Sequence, residues 1–552
     1  MASSVKGVKQ PANAVTAPAR RFLSMSVQRF AAVECRAAAT AASQNRRWPV
    51  RACAMLLLLL TLPALASAEN VLIKRVLIVD GTGAEPAATD VRVRGDRVVA
   101  IGNLAKGADE TLIEAAGLAL TPGFIDTHSH HDQLLDEKPQ ALAAVSQGIT
   151  TIVAGQDGGS TIPLSALFER RSQHPAAVNI ASYSGHNSLR EAVMGRDFKR
   201  PATPAEVARM RVLLAADMEA GALGLSTGLE YDPGIYSATD EVVTLAREAA
   251  KHGGRYVSHL RSEDRRLWAA LDELVEIGRR ARIPVQVSHA KLAMTDWWGE
   301  ADRMLGVLDK ARAEGVDATL DIYPYPYWQS TLTVLWPDRD FGNLATAEYV
   351  LAHLAPADGL RLTRFTPDPA LVGRTVAEIA RQRRTSEPAT AMALIREAEA
   401  ARGDVNVIGT SMDERDIATL IAWPHANISS DGAIDDLHPR GAGAFTRVLR
   451  LYVREAKLLT LATAVHKMTG LAARHVGLTN RGTIKVGGYA DLVLLDPRIV
   501  GDRATTEQPA ALSEGIVRVW VNGVPVLKDG RPTGSLPGRV LRRGDGGLTP
   551  AR

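Results

Sequence analysis

PGFIDTHSHHD, residues 122–132, is the stretch whose reading decides the fold. Pro122-Gly123 interrupts the chain, Phe124 and Ile125 open a buried-type strand, and His128 and His130 follow two residues apart. Side chains at i and i+2 of an extended segment share a face, so both imidazoles can address one ion. The strand here spans Gly123–Asp126. Seven further segments read as short apolar strands: Ile149–Ala154, Val178–Tyr183, Ala222–Ser226, Arg255–Ser258, Val285–Ser288, Ala318–Ile322 and Asn427–Ser430. Helical periodicity fills many of the gaps, as over Pro204–Ala220, Asp240–Lys251 and Arg266–Ala281. Strands alternating with helices imply a parallel sheet, and eight of them fit an α/β fold, the (β/α)8 TIM-type barrel, which takes about 250 residues.

The strand ends carry the chemistry. The fifth ends in Ser-His259-Leu-Arg, the sixth in Ser-His289-Ala-Lys and the eighth in Ser-Ser-Asp431-Gly. A barrel gathers the C-terminal ends of its strands at one mouth. Four imidazoles and a carboxylate meeting there suit Zn2+, as one or two ions, or a similar divalent metal. A lone buried histidine is ordinarily a satisfied core residue; five suitable residues at successive strand ends are not explained that way. Gly224-Leu-Ser226-Thr-Gly228 matches the G-x-S-x-G turn of serine hydrolases, which must lead from a strand into a helix. Here Leu-Glu-Tyr-Asp-Pro-Gly follows, a sequence that breaks a helix rather than starting one.

Outward from the barrel, residues 69–121 and 481–541 are strand-rich. Val71–Val79, Val91–Arg94 and Arg97–Ile101 surround a Gly95-Asp96 turn, and Ile516–Val521 and Val524–Leu527 surround Asn522-Gly523. Two such ends flanking a long middle imply one small β-sandwich domain built from both termini, with the barrel over 122–480. The excess length at about 338–405 reads as a helical insertion, a lid.

Residues 1–68 read as an export leader. Arg46, Arg47 and Arg51 precede an apolar run from Ala54 to Leu65, and Ala66-Ser67-Ala68 offers a cleavage pattern. The run is shorter than the roughly 20 residues that span a bilayer, so no stable membrane span is expected after cleavage near Ala68, and the protein is expected in the periplasm or secreted. The leader holds nine of the cations and one acid, so the rest of the chain is net −4 although the whole is +4, and nothing favours a nucleic-acid partner. Cys35 and Cys53 both lie in the leader, so a mature chain has no thiolate for catalysis or metal binding.

With these pieces in order, residues 71–540 resemble the amidohydrolase superfamily, and within it the N-acyl-D-amino-acid deacylases (D-aminoacylases). The resemblance is carried by PGFIDTHSHHD (122–132), SQGITTIVAG (146–155), GALGLSTGLEYDPGIYS (221–237), SHLRSE (258–263), SHAKLA (288–293), SSDG (429–432), HPRGAGAFTRVLRLYVRE (438–455), KMTGLAARHVGL (467–478) and GGYADLVLLDP (487–497). It implies a metal-dependent hydrolase that cleaves the amide of an N-acyl-D-amino acid, a small-molecule substrate with a carboxylate. The family usually carries a cysteine ligand after strand two, where this chain has Gly155-Gln156-Asp157-Gly158. Many superfamily members bridge two metals with a modified lysine after strand four, where this chain has Glu230. Glu230 is therefore the expected bridge, and Asp157 the next choice. Asp431 is the expected catalytic base, taking a proton from water and passing it to the leaving amine. For the substrate, Lys291, Tyr323 and Tyr325 are candidates for the carboxylate, His186 for the carbonyl, and Arg261 is a weaker candidate that an acid could equally occupy. Two other readings stand beside this one: a cyclic-amide hydrolase of the hydantoin or dihydropyrimidine type, and a non-catalytic periplasmic binding protein.

Overall fold

The computed structural model describes residues 68–544. The leader expected over 1–68 lies outside the described residues, Ala68 excepted. Eight short strands form the barrel: Phe124–Asp126, Ile149–Ala154, Asn179–Ser182 continued by Ser184–Gly185, Gly224–Gly228, Arg255–His259, Val285–Val287, Ala318–Ile322 and Ala426–Ile428. Every pairing between neighbours along this order is parallel. The first and eighth strands close the ring just beyond their ends. The Asp431 amide donates to the His128 carbonyl and the His130 amide to the Gly432 carbonyl, both at 2.9 Å. The Ser430 amide donates to the Asp126 carboxylate at 2.8 Å.

The strands read as unbroken apolar and small residues because helices cover their outer faces while side chains fill the interior; all six residues of Ile149–Ala154 are buried. The helices carry explicit stop and start chemistry. Pro204–Ala220 begins with Pro at its first position and a reciprocal capping box between Thr203 and Glu206, and ends at Gly221 with φ 109°.

The two strand-rich ends assemble a single nine-stranded sheet. The seam is the antiparallel pairing of Ala119–Pro122 with Leu492–Leu495, in the register Leu492 to Pro122. Leu492 and Leu494 pack with Val71, Val91 and Trp520 inside the small domain. Val493 and Leu495 face the other way and join the barrel core around Phe124 and Ile149. A four-residue strand thus welds one domain to the other, because its two faces are both apolar.

The insertion differs from the helical segment expected at 338–405. It runs from Tyr327 to Thr410 and is built on an antiparallel three-stranded sheet, Tyr327–Thr331 and Leu360–Phe365 flanking Val405–Thr410. Helices Leu344–His353, Val376–Arg383 and Glu387–Ala400 accompany it. It has its own core, in which Trp336, Leu360, Leu362, Leu394, Ile395 and Val407 are almost fully buried. Its first strand borders the barrel mouth.

Candidate metal centre

Residues from seven of the eight strand ends converge at the C-terminal mouth, on a cavity of about 360 Å³. His128 and His130 point their Nε2 atoms at the same two carboxylate oxygens. Asp157 Oδ2 lies 3.3 and 3.2 Å from them, and Asp431 Oδ1 3.4 and 3.3 Å. The other Asp157 oxygen faces the second histidine pair, 3.2 Å from His289 Nε2. His289 Nε2 in turn lies 3.0 Å from His259 Nδ1. Among the described residues, Asp157 is the one candidate whose carboxylate spans both groups, each of which brings its ligand atoms within 4.8 Å of one another.

The placement of Glu230 differs from the expectation of a bridge. Its Oε2 accepts from His259 Nε2 at 2.9 Å and does not reach the His128–His130 side. The strand-four loop that carries it lies on the His259 flank. A carboxylate on the outward nitrogen of a histidine fixes that ring's tautomer and leaves the other nitrogen, Nδ1, to face the centre. On the other side, Glu263 lies 3.1 Å from His289 Nδ1 and accepts from Lys291 Nζ at 2.7 and 2.8 Å, and Lys291 Nζ itself stands 2.7 Å from that Nδ1.

The backbone is bent to achieve this. Asp157, His289 and Asp431 have φ of 52°, 35° and 49°, in the left-handed region that non-glycine residues seldom occupy. Close backbone contacts hold the Asp157 loop. A Cβ on Gly185 would stand 2.3 Å from the Gly158 carbonyl oxygen, and one on Gly228 2.2 Å from that of Asp157. Asp321, buried at the end of strand seven, accepts from the His289 amide at 2.8 Å and the Ser429 hydroxyl at 2.9 Å, and so positions two rim segments at once.

The electrostatics fit a cation. Burial disfavours charge on His128 and His130, yet the neighbouring Asp157 and Asp431 carboxylates outweigh it; His128 rises well above the ordinary histidine value and His130 rises to about 10. Asp157 and Asp431 are held far below the usual carboxylate range, against their burial, by those imidazoles and, for Asp431, by Arg440. Such mutual stabilisation of facing imidazoles and carboxylates is what a divalent ion between them would supply in place of protons. The donor set, imidazole nitrogen and carboxylate oxygen with no thiolate, suits zinc.

Of the expected substrate residues, Lys291 and Tyr323 line the cavity. His186 does not: it is buried at the start of its helix, with Nε2 2.9 Å from Glu241 Oε1. Arg261 does not either, since Glu273 engages its Nε and Nη2 at 2.8 and 2.9 Å. Tyr325 is buried outside the cavity, its hydroxyl donating to the Pro439 carbonyl at 3.4 Å. Its position two residues past Tyr323 gave no warning, because the strand ends at Ile322 and the i, i+2 rule no longer holds beyond it. Ser226 sits inside strand four as acceptor for the Gly158 amide at 3.3 Å, and no helix follows it directly.

Arg440 was missed in the sequence, although His438-Pro439-Arg440 lies in a segment singled out for its resemblance. It is buried beside the cavity, donates to Asp431 Oδ2 and lies with its guanidinium carbon 4.9 Å from the Tyr323 ring centre. His438 fixes it. Burial keeps that imidazole neutral, so Nδ1 accepts from the Arg440 amide at 3.0 Å while Nε2 donates to the Tyr327 carbonyl at 2.9 Å. Lys291, Arg440 and Tyr323 make a cationic, donor-rich wall next to the histidines.

Comparison with known proteins places these features. The model of the amidohydrolase family matches residues 111–330 and 338–527. An N-acyl-D-glutamate deacylase of Alcaligenes xylosoxydans xylosoxydans is 39% identical over 490 residues, covering 84% of this chain and 95% of its own. The solved N-acyl-D-glutamate deacylase of Bordetella bronchiseptica, complexed with zinc and a phosphonate that mimics the tetrahedral intermediate, is 37% identical. It superposes with a TM-score of 0.77 over 86% of this chain and all of its own. A solved D-aminoacylase described for its binuclear metal centre is 35% identical, with a TM-score of 0.78 over the same shares.

Proposed function

Since the chain belongs to the amidohydrolase family, we infer that it hydrolyses the amide bond of N-acyl-D-amino acids to a carboxylate and a free amino acid. The single observation that carries the reading is the adjacency of two facing His–carboxylate groups, joined through Asp157, to the wall of Lys291, Arg440 and Tyr323. The first can hold metal; the second can hold the carboxylate that such a substrate bears.

His128, His130, Asp157 and Asp431 would hold one ion, and Asp157, His259 and His289 a second, zinc in each case. Bound there, the metal supplies Lewis acidity that acidifies water and polarises a carbonyl. Asp431 takes the proton of the attacking water and delivers it to the leaving nitrogen. Arg440 grips Asp431 Oδ2 and holds its carboxyl well below the usual range, which weakens it as a base. A substrate carboxylate drawing Arg440 towards itself loosens that grip, so binding and base strength rise together. Lys291 and the Tyr323 hydroxyl complete the carboxylate contacts. Glu230 and Glu263 orient His259 and His289.

The test is metal quantification on purified protein with a panel of N-acetyl-D-amino acids, their L counterparts and hydantoins. The expected result is one to two zinc per chain, D-selective release of amino acid, and loss of activity on chelation. Hydrolysis of hydantoins alone would overturn the assignment in favour of the cyclic-amide reading, and a metal-free protein inert to all of them would favour a binding protein. The export role of residues 1–68 is part of the same proposal; it rests on the Arg46–Arg51 and Ala66-Ser67-Ala68 pattern. N-terminal sequencing of protein from the producing cell is expected to begin at Glu69.

A further inference from the structure

Resting on that substrate reading, we propose that the amino acid accepted by this enzyme has an uncharged side chain, with a hydrogen-bonding one such as glutamine preferred over the acidic glutamate. The argument is an inventory of charge in the cavity. Among the described residues that line it, Lys291 and Arg440 are its only lysine and arginine. Each already faces an acid: Lys291 has both Glu263 oxygens at 2.7 and 2.8 Å, and Arg440 has Asp431 and, at 3.8 Å, Asp436. Both line the cavity with the buried Tyr323, whose ring centre lies 4.9 Å from the Arg440 guanidinium carbon. This trio suffices for a single carboxylate, the one every amino acid carries.

The rest of the wall offers no lysine or arginine to a second anion. The first insertion strand contributes Trp328, Gln329, Ser330 and Thr331, all uncharged, and the loop after the eighth strand contributes the carboxyl of Asp436. The Gln329 side chain hydrogen-bonds Asp436, and Ser330, Thr331 and Asn406 bring hydroxyl and amide groups to the same lining. Hydroxyls and side-chain amides both donate and accept, so they complement a neutral amide or hydroxyl, which brings both kinds of group. A carboxylate side chain here is desolvated without a free cation and brings only acceptors, beside the Asp436 carboxyl. Sites of this kind discriminate strongly between a partner that fills their hydrogen bonds and an isostere that does not.

N-acetyl-D-glutamine and N-acetyl-D-glutamate are the decisive pair, being nearly equal in size and different by one charge. On zinc-loaded protein, kcat/KM is expected to favour the glutamine derivative by at least tenfold. Gln329→Lys, which adds a cation to that wall, is expected to narrow the ratio by raising the rate on the glutamate derivative. Equal or faster hydrolysis of the glutamate derivative by the wild type overturns the proposal and leaves the deacylase reading standing. A zinc-loaded protein that hydrolyses neither, nor any other N-acetyl-D-amino acid, rejects both.

Discussion

Asp157, His289 and Asp431 adopt left-handed backbone conformations at three different strand ends, and each turns a ligand atom inwards. Conformations of this kind cost roughly 1–3 kcal/mol each and persist where surrounding contacts enforce them. The enforcement is visible: Gly185 and Gly228 crowd the Asp157 loop, Asp321 holds His289, and Asp126 holds Ser430 beside Asp431. Two substitutions separate the roles of the carboxylates. Asp157→Asn is expected to lower the zinc bound per chain, because it removes charge from the residue that faces both histidine pairs. Glu230→Gln keeps an acceptor for His259 Nε2 and is expected to retain stoichiometry, with affinity falling by about 10-fold to 100-fold at most. Elemental analysis after dialysis against a weak chelator distinguishes them, and the opposite order would return the bridging role to Glu230. Asp431→Asn preserves the shape of the side chain and removes its basicity. Its kcat is expected to fall by about 10²-fold to 10⁴-fold, the usual contribution of a general base. Zinc content measured on the same sample checks that the loss is in proton transfer. At this scale the sequence was legible where a motif placed histidines at strand ends. It was silent on Glu263 and Arg440, since a Glu four residues past a histidine and an Arg in a loop are commonplace until the fold brings them to the same cavity.

At the scale of elements, strand positions were readable because burial on both faces leaves an apolar signature; Ile149–Ala154 and Ala318–Ile322 match to the residue. The insertion sheet was hidden for the converse reason. Tyr327–Thr331 and Leu360–Phe365 are only partly buried, carry polar side chains, and both pair with Val405–Thr410, tens of residues away in the chain. Short half-buried strands paired at that distance leave no local trace that helices on either side do not overwrite. The insertion core predicts a separable effect. Trp336 is about 1% exposed and fills the centre of that core. Trp336→Ala is expected to cost the insertion about 3–5 kcal/mol, as large-to-small changes at buried aromatics do. Because Trp328–Thr331 borders the cavity while the histidines belong to the barrel, KM is expected to rise with zinc content unchanged. A loss of zinc in step with KM would show that the insertion and the metal centre unfold as one unit.

The whole molecule joins the small sheet to the barrel through Leu492–Leu495, and the helix Gly470–Val476 packs on the first and eighth barrel strands. That helix carries His475, about 7% exposed, with Nδ1 unpartnered. Burial, with nearby Arg255 adding to it, lowers its pKa from 6.5 to about 2. Between those values the unfolded chain binds a proton that the folded chain refuses, so unfolding free energy rises with pH across the window and falls on acidification. The slope from this one group approaches about 1.4 kcal/mol per pH unit well below 6.5. His130 works in the opposite sense in metal-free protein, since its raised pKa of about 10 adds stability as the pH falls below that value towards 6.5. A single pH profile of stability therefore mixes the two, and the difference between wild type and His475→Gln isolates one. Urea unfolding at pH 7.5, 6.0 and 5.0, at fixed metal concentration, is expected to show wild type losing stability on acidification faster than His475→Gln by up to one proton's worth of slope. Parallel profiles would mean that the His475 imidazole is protonated in the folded barrel.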